Sequence, residues 1–164
     1  MILNLFILLI QFIPNIQNLY MRELINFNSM LESHELPIHV QSARIKSFGS
    51  TYKKLNRRKT DDIYCLNDLL GFRFVFYSKE DVLRFYHYCK LDRSIMSTSN
   101  YIVNPKKNGY KSLHFNYNNP WDECPIRQIE CQLYIIDNYY NSLYGTALYN
   151  KNYSELIGVS EGIF

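Results

Sequence analysis

From Leu69 to Tyr77 the chain reads LLGFRFVFY, apolar or aromatic everywhere except Gly71 and Arg73. A run this short and this continuous predicts a central strand buried on both faces, with another layer on each side. Two further stretches alternate with period two. Leu36 to Lys46, entered through Pro37, places Ile38, Val40, Ser42, Arg44 and Lys46 on one face. Ile126 to Ile135 sends Ile129, Cys131 and Leu133 one way and Glu130 and Gln132 the other. Tyr110 to Tyr117 also alternates, with Tyr110, Ser112 and His114 against Lys111, Leu113 and Phe115. Tyr110 and His114 would then lie roughly 13 Å apart at about 3.3 Å per residue, a nucleotide-sized spacing.

Period 3.6 fills the gaps between strands. Ile16, Leu19, Tyr20, Leu24, Ile25, Met30 and Leu31 share a helical face over Asn15–Ser33, with Arg22 and Glu23 off it. The apolar run Met1–Ile13 is too short to cross a membrane, lacks a basic leader, and reads as a buried helix that Pro14 interrupts. Residues 1–35 are therefore an N-terminal helical segment and 36–164 the remaining domain. Ser47 to Lys59 forms a basic helix. Lys79 to Leu91 forms an amphipathic one, capped by Ser78 with Asp81 at capping-box spacing, its apolar face Val82, Phe85, Tyr86 and Cys89. His87 there is ordinary surface or core. Asp92 to Asn100 is polar and reads as a loop, Asn118-Asn119-Pro120 as a turn, and Asp137 to Tyr153 as a Tyr-rich helix.

The loop Asn104-Pro105-Lys106-Lys107-Asn108-Gly109 must turn sharply, because Pro removes a donor and Asn-Gly favours positive φ; it should present Lys106 and Lys107 outward. The length of 164 residues and a hydrophobic share of 47% suit one α+β domain that needs no disulfide or metal. A net charge of +3 favours a local basic site for an anion over a broad nucleic-acid surface. Cys65, Cys89, Cys124 and Cys131 show neither CxxC nor zinc-finger spacing and read as buried thiols of a reducing, cytoplasmic compartment.

Several residues stand against the pattern. Arg44 and Lys46 point the same way and could grip one anion. Arg73 is a guanidinium in a buried strand, which needs an anionic partner or a ligand, beside the space left by Gly71; Asp68 at that strand's entry could simply pair with it. Glu130 is a carboxylate on an apolar strand. Bases to neutralise phosphates, two carboxylates able to hold Mg²⁺, and a tyrosine platform make a nucleotide-handling set.

These residues resemble, in order, the blocks of the synthetase domain of RelA/SpoT alarmone enzymes. The blocks are Arg44-Ile45-Lys46 with the helix to Lys54, Asp68-Leu69-Leu70-Gly71-Phe72-Arg73, Tyr101 to His114, and Ile129-Glu130-Cys131-Gln132, covering roughly Arg44 to Tyr153. The resemblance implies a nucleotidyltransferase-like mixed β-sheet flanked by helices. It implies transfer of pyrophosphate from ATP to the 3′-hydroxyl of GDP or GTP. Carried over by position, Arg44 and Arg73 sandwich adenine, and Lys46, Ser50, Lys54 and Lys106 lie toward phosphates. Tyr110 stacks on guanine with Asn108 and His114 beside it, Asp68 holds Mg²⁺, and Glu130 binds the metal or activates the hydroxyl.

The chain departs from the family's pattern at Ser97-Thr98-Ser99, where a basic residue is usual, and at Asn100, where Asp is usual. It departs again at Tyr134-Ile135 in place of Arg-Thr, and at Leu143 and Tyr149 in place of Glu and His. A hydrolase half has no candidate His-Asp pair, so the expectation is a small stand-alone synthetase, and small members of that family often form homo-oligomers. Two other readings stay open. One is a toxin-type relative acting on a tRNA end or on adenine nucleotides, motivated by Lys53, Lys54, Arg57, Arg58 and Lys59. The other is a guanine-nucleotide-binding module without turnover.

Overall fold

The apolar run around Phe74 does become the centre of a sheet. In the computed structural model, which describes residues 2–121 and 124–143, the order is α1 (Ile2–Ser33), β1 (Ile38–Ile45), α2 (Phe48–Arg58), a 3-10 turn (Ile63–Cys65), β2 (Leu70–Phe76), α3 (Lys79–Asp92), β3 (Ile95–Asn100), β4 (Leu113–Asn118) and β5 (Gln128–Ile135), followed by helix over 136–143. The strands form one mixed sheet in the order β1-β2-β5-β4-β3. Only β2 and β5 run parallel; the other neighbours are antiparallel.

One face of the sheet carries Leu70, Phe72, Phe74, Phe76, Leu113, Phe115, Tyr117, Ile129, Cys131 and Leu133, all buried. Helix α1 lays Phe27 onto it, with ring centroids 5.2 Å from Phe72, 4.9 Å from Phe74 and 5.8 Å from Phe85 of α3. Val82, Phe85 and Cys89 of α3 are buried as their spacing requires, and Ser78 Oγ accepts from the Asp81 amide at 3.1 Å. The opposite face keeps its polar side chains.

The chain differs from its sequence pattern at several points. Helix α1 runs through Pro14. That residue is exposed, where an unmatched backbone carbonyl costs least. Its buried stripe includes Glu23, which is fully buried, while Ile25 is 59% exposed. Glu23 is tolerated inside because Tyr117 Oη donates to Oε2 at 2.5 Å, Trp121 Nε1 donates to Oε1 at 3.0 Å, and the Arg93 guanidinium lies at 3.4 Å. Those partners come from residues about 70 to 100 positions away, which local periodicity cannot see.

Residues 95–100, expected as loop, are the edge strand β3, paired with β4 alone. Edge strands tolerate Ser and Thr because most of their side chains face water, so their hydrophobic signal is weak. The expected Tyr-rich helix is described only through residue 143; Tyr149 and Tyr153 lie outside the described residues. Cys89, Cys124 and Cys131 are buried thiols and Cys65 is half-buried. Among the described residues, no helix is long and apolar enough to cross a membrane.

Candidate active site

Strand register writes the site across the polar face of the sheet. Arg44 pairs with Gly71, Gly71 with Glu130, and Glu130 with Asn116. In the adjacent row Ser42 pairs with Arg73, Arg73 with Gln132, and Gln132 with His114. Residues paired across neighbouring strands project from the same face, so side chains far apart in sequence converge. A cleft of about 90 Å³ opens here, lined among others by Arg44, Gly71, Arg73, Glu130 and Gln132. A Cβ at Gly71 would sit 3.8 Å from Glu130 Oε2, so glycine keeps the approach to that carboxylate open. A wider depression on the outer face of α3, about 570 Å³, is lined by residues of that one helix and encloses nothing.

Glu130 has two partners. Gln132 Nε2 donates to its Oε2 at 2.9 Å, and His114 Nδ1 stands 3.6 Å from Oε1. Burial raises the Glu130 pKa, but the contacts with His114 and Gln132 outweigh it, so the carboxyl titrates below the ordinary range despite repulsion from Asp68. Asp68, just before β2, is gripped by Lys46 Nζ and Lys54 Nζ, each at 2.8 Å. Burial again works against ionisation there, and the hydrogen bonds from the two lysines overcome it. Arg73 does not pair with Asp68. Its Nε and terminal nitrogen donate to Gln132 Oε1 at 3.3 and 3.1 Å, and its guanidinium lies 5.5 Å from the Tyr134 ring centroid and 5.9 Å from that of Tyr139. Lys46 is likewise turned to Asp68 while Arg44 is exposed, so in this conformation the two cations do not share one anion.

At the N-terminus of α2, Ser47 Oγ accepts from the Ser50 amide at 3.4 Å and donates to Ser50 Oγ at 3.0 Å. That leaves Ser50 exposed on the first turn, where free amides and the helix dipole favour an anion.

The aromatic end is tighter than the spacing along a strand implies. Tyr110 precedes β4, and its ring and that of His114 lie with centroids 5.6 Å apart, so Tyr110 Oη reaches His114 Nε2 at 2.6 Å although an extended backbone would set the two residues roughly 13 Å apart. Tyr110 Oη also meets Tyr134 Oη at 2.6 Å. The Asn-Gly turn forms as expected: Gly109 has φ of 80°, its amide donates to Lys106 O at 2.8 Å, and Asn108 Oδ1 accepts from the Tyr110 amide at 3.3 Å. Asn108 therefore shapes the turn that delivers Tyr110. Lys106 and Lys107 are both exposed, as expected, and the Lys106 ammonium lies 4.4 Å from the Tyr101 ring centroid and 4.9 Å from that of Tyr110.

The structure thus brings Arg44, Arg73, Glu130, Tyr110 and His114 onto one face, with Asp68, Lys46 and Lys54 as a separate ion cluster. Gln132, Tyr134 and Tyr101 also belong to the site, although none was assigned a role from sequence: Gln132 and Tyr101 lay inside the family blocks and Tyr134 stood as a departure from the pattern. The signal for Gln132 and Tyr134 was their parity with Glu130 on one strand. Among the described residues no group of three His, Cys, Asp or Glu side chains gathers to hold a metal. The Asp68 charge acts on Glu130, and two ionised carboxylates are the hard oxygen donors that would hold Mg²⁺ with ligand phosphates supplying the remaining oxygens.

A mixed five-stranded sheet backed by helices, with cations, carboxylates and tyrosines gathered on its polar face, defines an α+β domain of the alarmone-synthetase architecture. The chain belongs to the RelA/SpoT family: residues 43–151 match the model described as the region found in RelA / SpoT proteins. Small alarmone synthetase 1 from Bacillus subtilis, solved bound to its product pppGpp, is similar in fold, with a TM-score of 0.71 at 19% identity over 85% of this chain and 79% of that one. A GTP pyrophosphokinase family protein from Streptococcus pneumoniae gives 0.70 at 22% identity over 84% and 74%. Small alarmone synthetase 2 from Bacillus subtilis gives 0.61 at 24% over 87% and 84%. No curated protein matches the chain in sequence.

Proposed function

We propose that the protein transfers pyrophosphate from ATP to the 3′-hydroxyl of GDP or GTP, releasing AMP. The observation that carries this reading is Glu130, ionised between Gln132 and His114 and set in register with Gly71 and Arg44, with open space at Gly71 in front of it. Arg44 and Arg73 would hold the adenine of ATP. Lys46, Ser50, Lys54 and Lys106 would meet phosphates, and Tyr110 would carry the guanine with Asn108 and His114 placing it.

Glu130 would take the proton of the 3′-hydroxyl as its oxygen bonds to the β-phosphorus; the bond from that phosphorus to the α–β bridging oxygen breaks, and AMP leaves. Asp68, with Glu130, is the pair that would hold Mg²⁺, whose charge offsets that accumulating on the phosphoryl oxygens. Lys46 and Lys54 would then pass from Asp68 to phosphate oxygens. That the neighbour from Bacillus subtilis carries pppGpp supports the acceptor assignment.

Folded protein incubated with ATP, Mg²⁺ and GDP or GTP should yield AMP and a 3′-pyrophosphorylated guanosine in equal amounts. Saturable guanine-nucleotide binding with neither product would leave a binding module instead. The exposed cations Lys53, Arg57 and Lys59 on and just after α2 favour a second acceptor, a tRNA end. Label transferred from ATP to tRNA in preference to GDP would select it.

A further inference from the structure

Tyr134 is buried, and two parts of it do different things. Its ring lies under the Arg73 guanidinium at 5.5 Å, and its hydroxyl meets Tyr110 Oη at 2.6 Å. Tyr110 Oη in turn meets His114 Nε2 at 2.6 Å, and His114 Nδ1 faces Glu130 Oε1 at 3.6 Å. The other partner of the Tyr134 hydroxyl, Gln132 Oε1, is 3.5 Å away and already takes two bonds from Arg73. The short contact with Tyr110 is therefore the one through which the Tyr134 hydroxyl orients its neighbour.

We infer that Tyr134 is a positioning residue that keeps the two nucleotide halves of the site in register, its ring supporting Arg73 and its hydroxyl fixing Tyr110. The inference rests on the assignment of Arg73 to ATP and Tyr110 to the guanine nucleotide. It separates the two contributions chemically: the hydroxyl serves the acceptor side alone, whereas the ring serves the ATP side.

Tyr134→Phe keeps the ring and removes the hydroxyl. Its dissociation constant for GDP, and its KM for the acceptor, should rise roughly five-fold, the factor one neutral hydrogen bond supplies. Affinity for a non-hydrolysable ATP analogue should stay within about two-fold, with the melting temperature close to wild type. Tyr134→Ala should weaken both ligands. In a Tyr110→Phe background, Tyr134→Phe should add nothing, because the bond is already gone.

Unchanged GDP affinity in Tyr134→Phe overturns the inference, as does an equal loss for both nucleotides or an additive double variant. If Tyr134→Phe does not fold, Tyr110→Phe must show the same acceptor-side loss; full GDP affinity there also overturns it. Wild-type protein that binds GDP and the ATP analogue but makes no product refutes the proposed reaction, while the binding comparison still decides the role of Tyr134. Wild-type protein that binds no guanine nucleotide refutes both.

Discussion

Replacing Glu130 by Gln separates chemistry from folding at one position. Gln is nearly isosteric, and its amide can keep the 2.9 Å contact with Gln132 by turning its oxygen toward Nε2. What disappears is the charge, and with it the attraction to His114 at 3.6 Å. A hydrogen bond to a charged group contributes about 1.5–3 kcal/mol and a neutral one about 0.5–1.5, so the stability loss is about 1 kcal/mol. For a chain of this size that corresponds to roughly 2–4 °C in melting temperature.

The same change removes the only feature that lets residue 130 accept a proton, and general-base contributions run to roughly 10²–10⁴-fold. The assay is anion-exchange separation of AMP and guanosine products at saturating ATP, GDP and Mg²⁺, beside a thermal melt of the same samples. Product formation should fall by at least about 10²-fold while the melt moves only slightly. Turnover within about ten-fold of wild type would refute the role given to Glu130. So would a loss that merely tracks the unfolded fraction.

Glu23→Ala should destabilise the fold by at least about 2 kcal/mol, because it leaves Tyr117 Oη and Trp121 Nε1 without their acceptor, at about 1–3 kcal/mol per buried group, and leaves Arg93 paired with Asp92 alone; urea unfolding should show it as a lower midpoint. An unchanged midpoint would show that the network contributes nothing. Asp68 and Glu130 both have folded pKa values below their unfolded ones of about 4. Each therefore contributes stability that is fully present above about pH 5 and is lost as pH falls through the folded pKa. Urea midpoints taken from pH 7 down to 3 should drop on the acid side, less steeply in Asp68→Asn; parallel curves would contradict the assignment. Gly71→Ala should fold normally, since the added carbon meets Glu130 Oε2 at 3.8 Å, an ordinary contact, yet weaken binding of an ATP analogue by narrowing the cleft.

The strands β1, β2 and β5 and the helices α2 and α3 were legible from periodicity, because each buries one clear face or, in β2, nearly every position. The anomalies were legible too: Arg73 and Glu130 stand out because a lone charge on an apolar strand requires a partner. The partners were not. Arg73 met Gln132 in place of Asp68, Asp68 met two lysines, and Glu23 was buried among Arg93, Tyr117 and Trp121, since pairing across a sheet depends on register and strand order. Edge strand β3 carried too little apolar signal to be seen. Local pattern along the chain thus determined which segments are strands and helices and which charges are out of place. The parallel pairing of β2 with β5, which lays Gly71 and Arg73 beside Glu130 and Gln132, was decided only by tertiary structure, because side chains meet across strands that the sequence separates by about 60 residues.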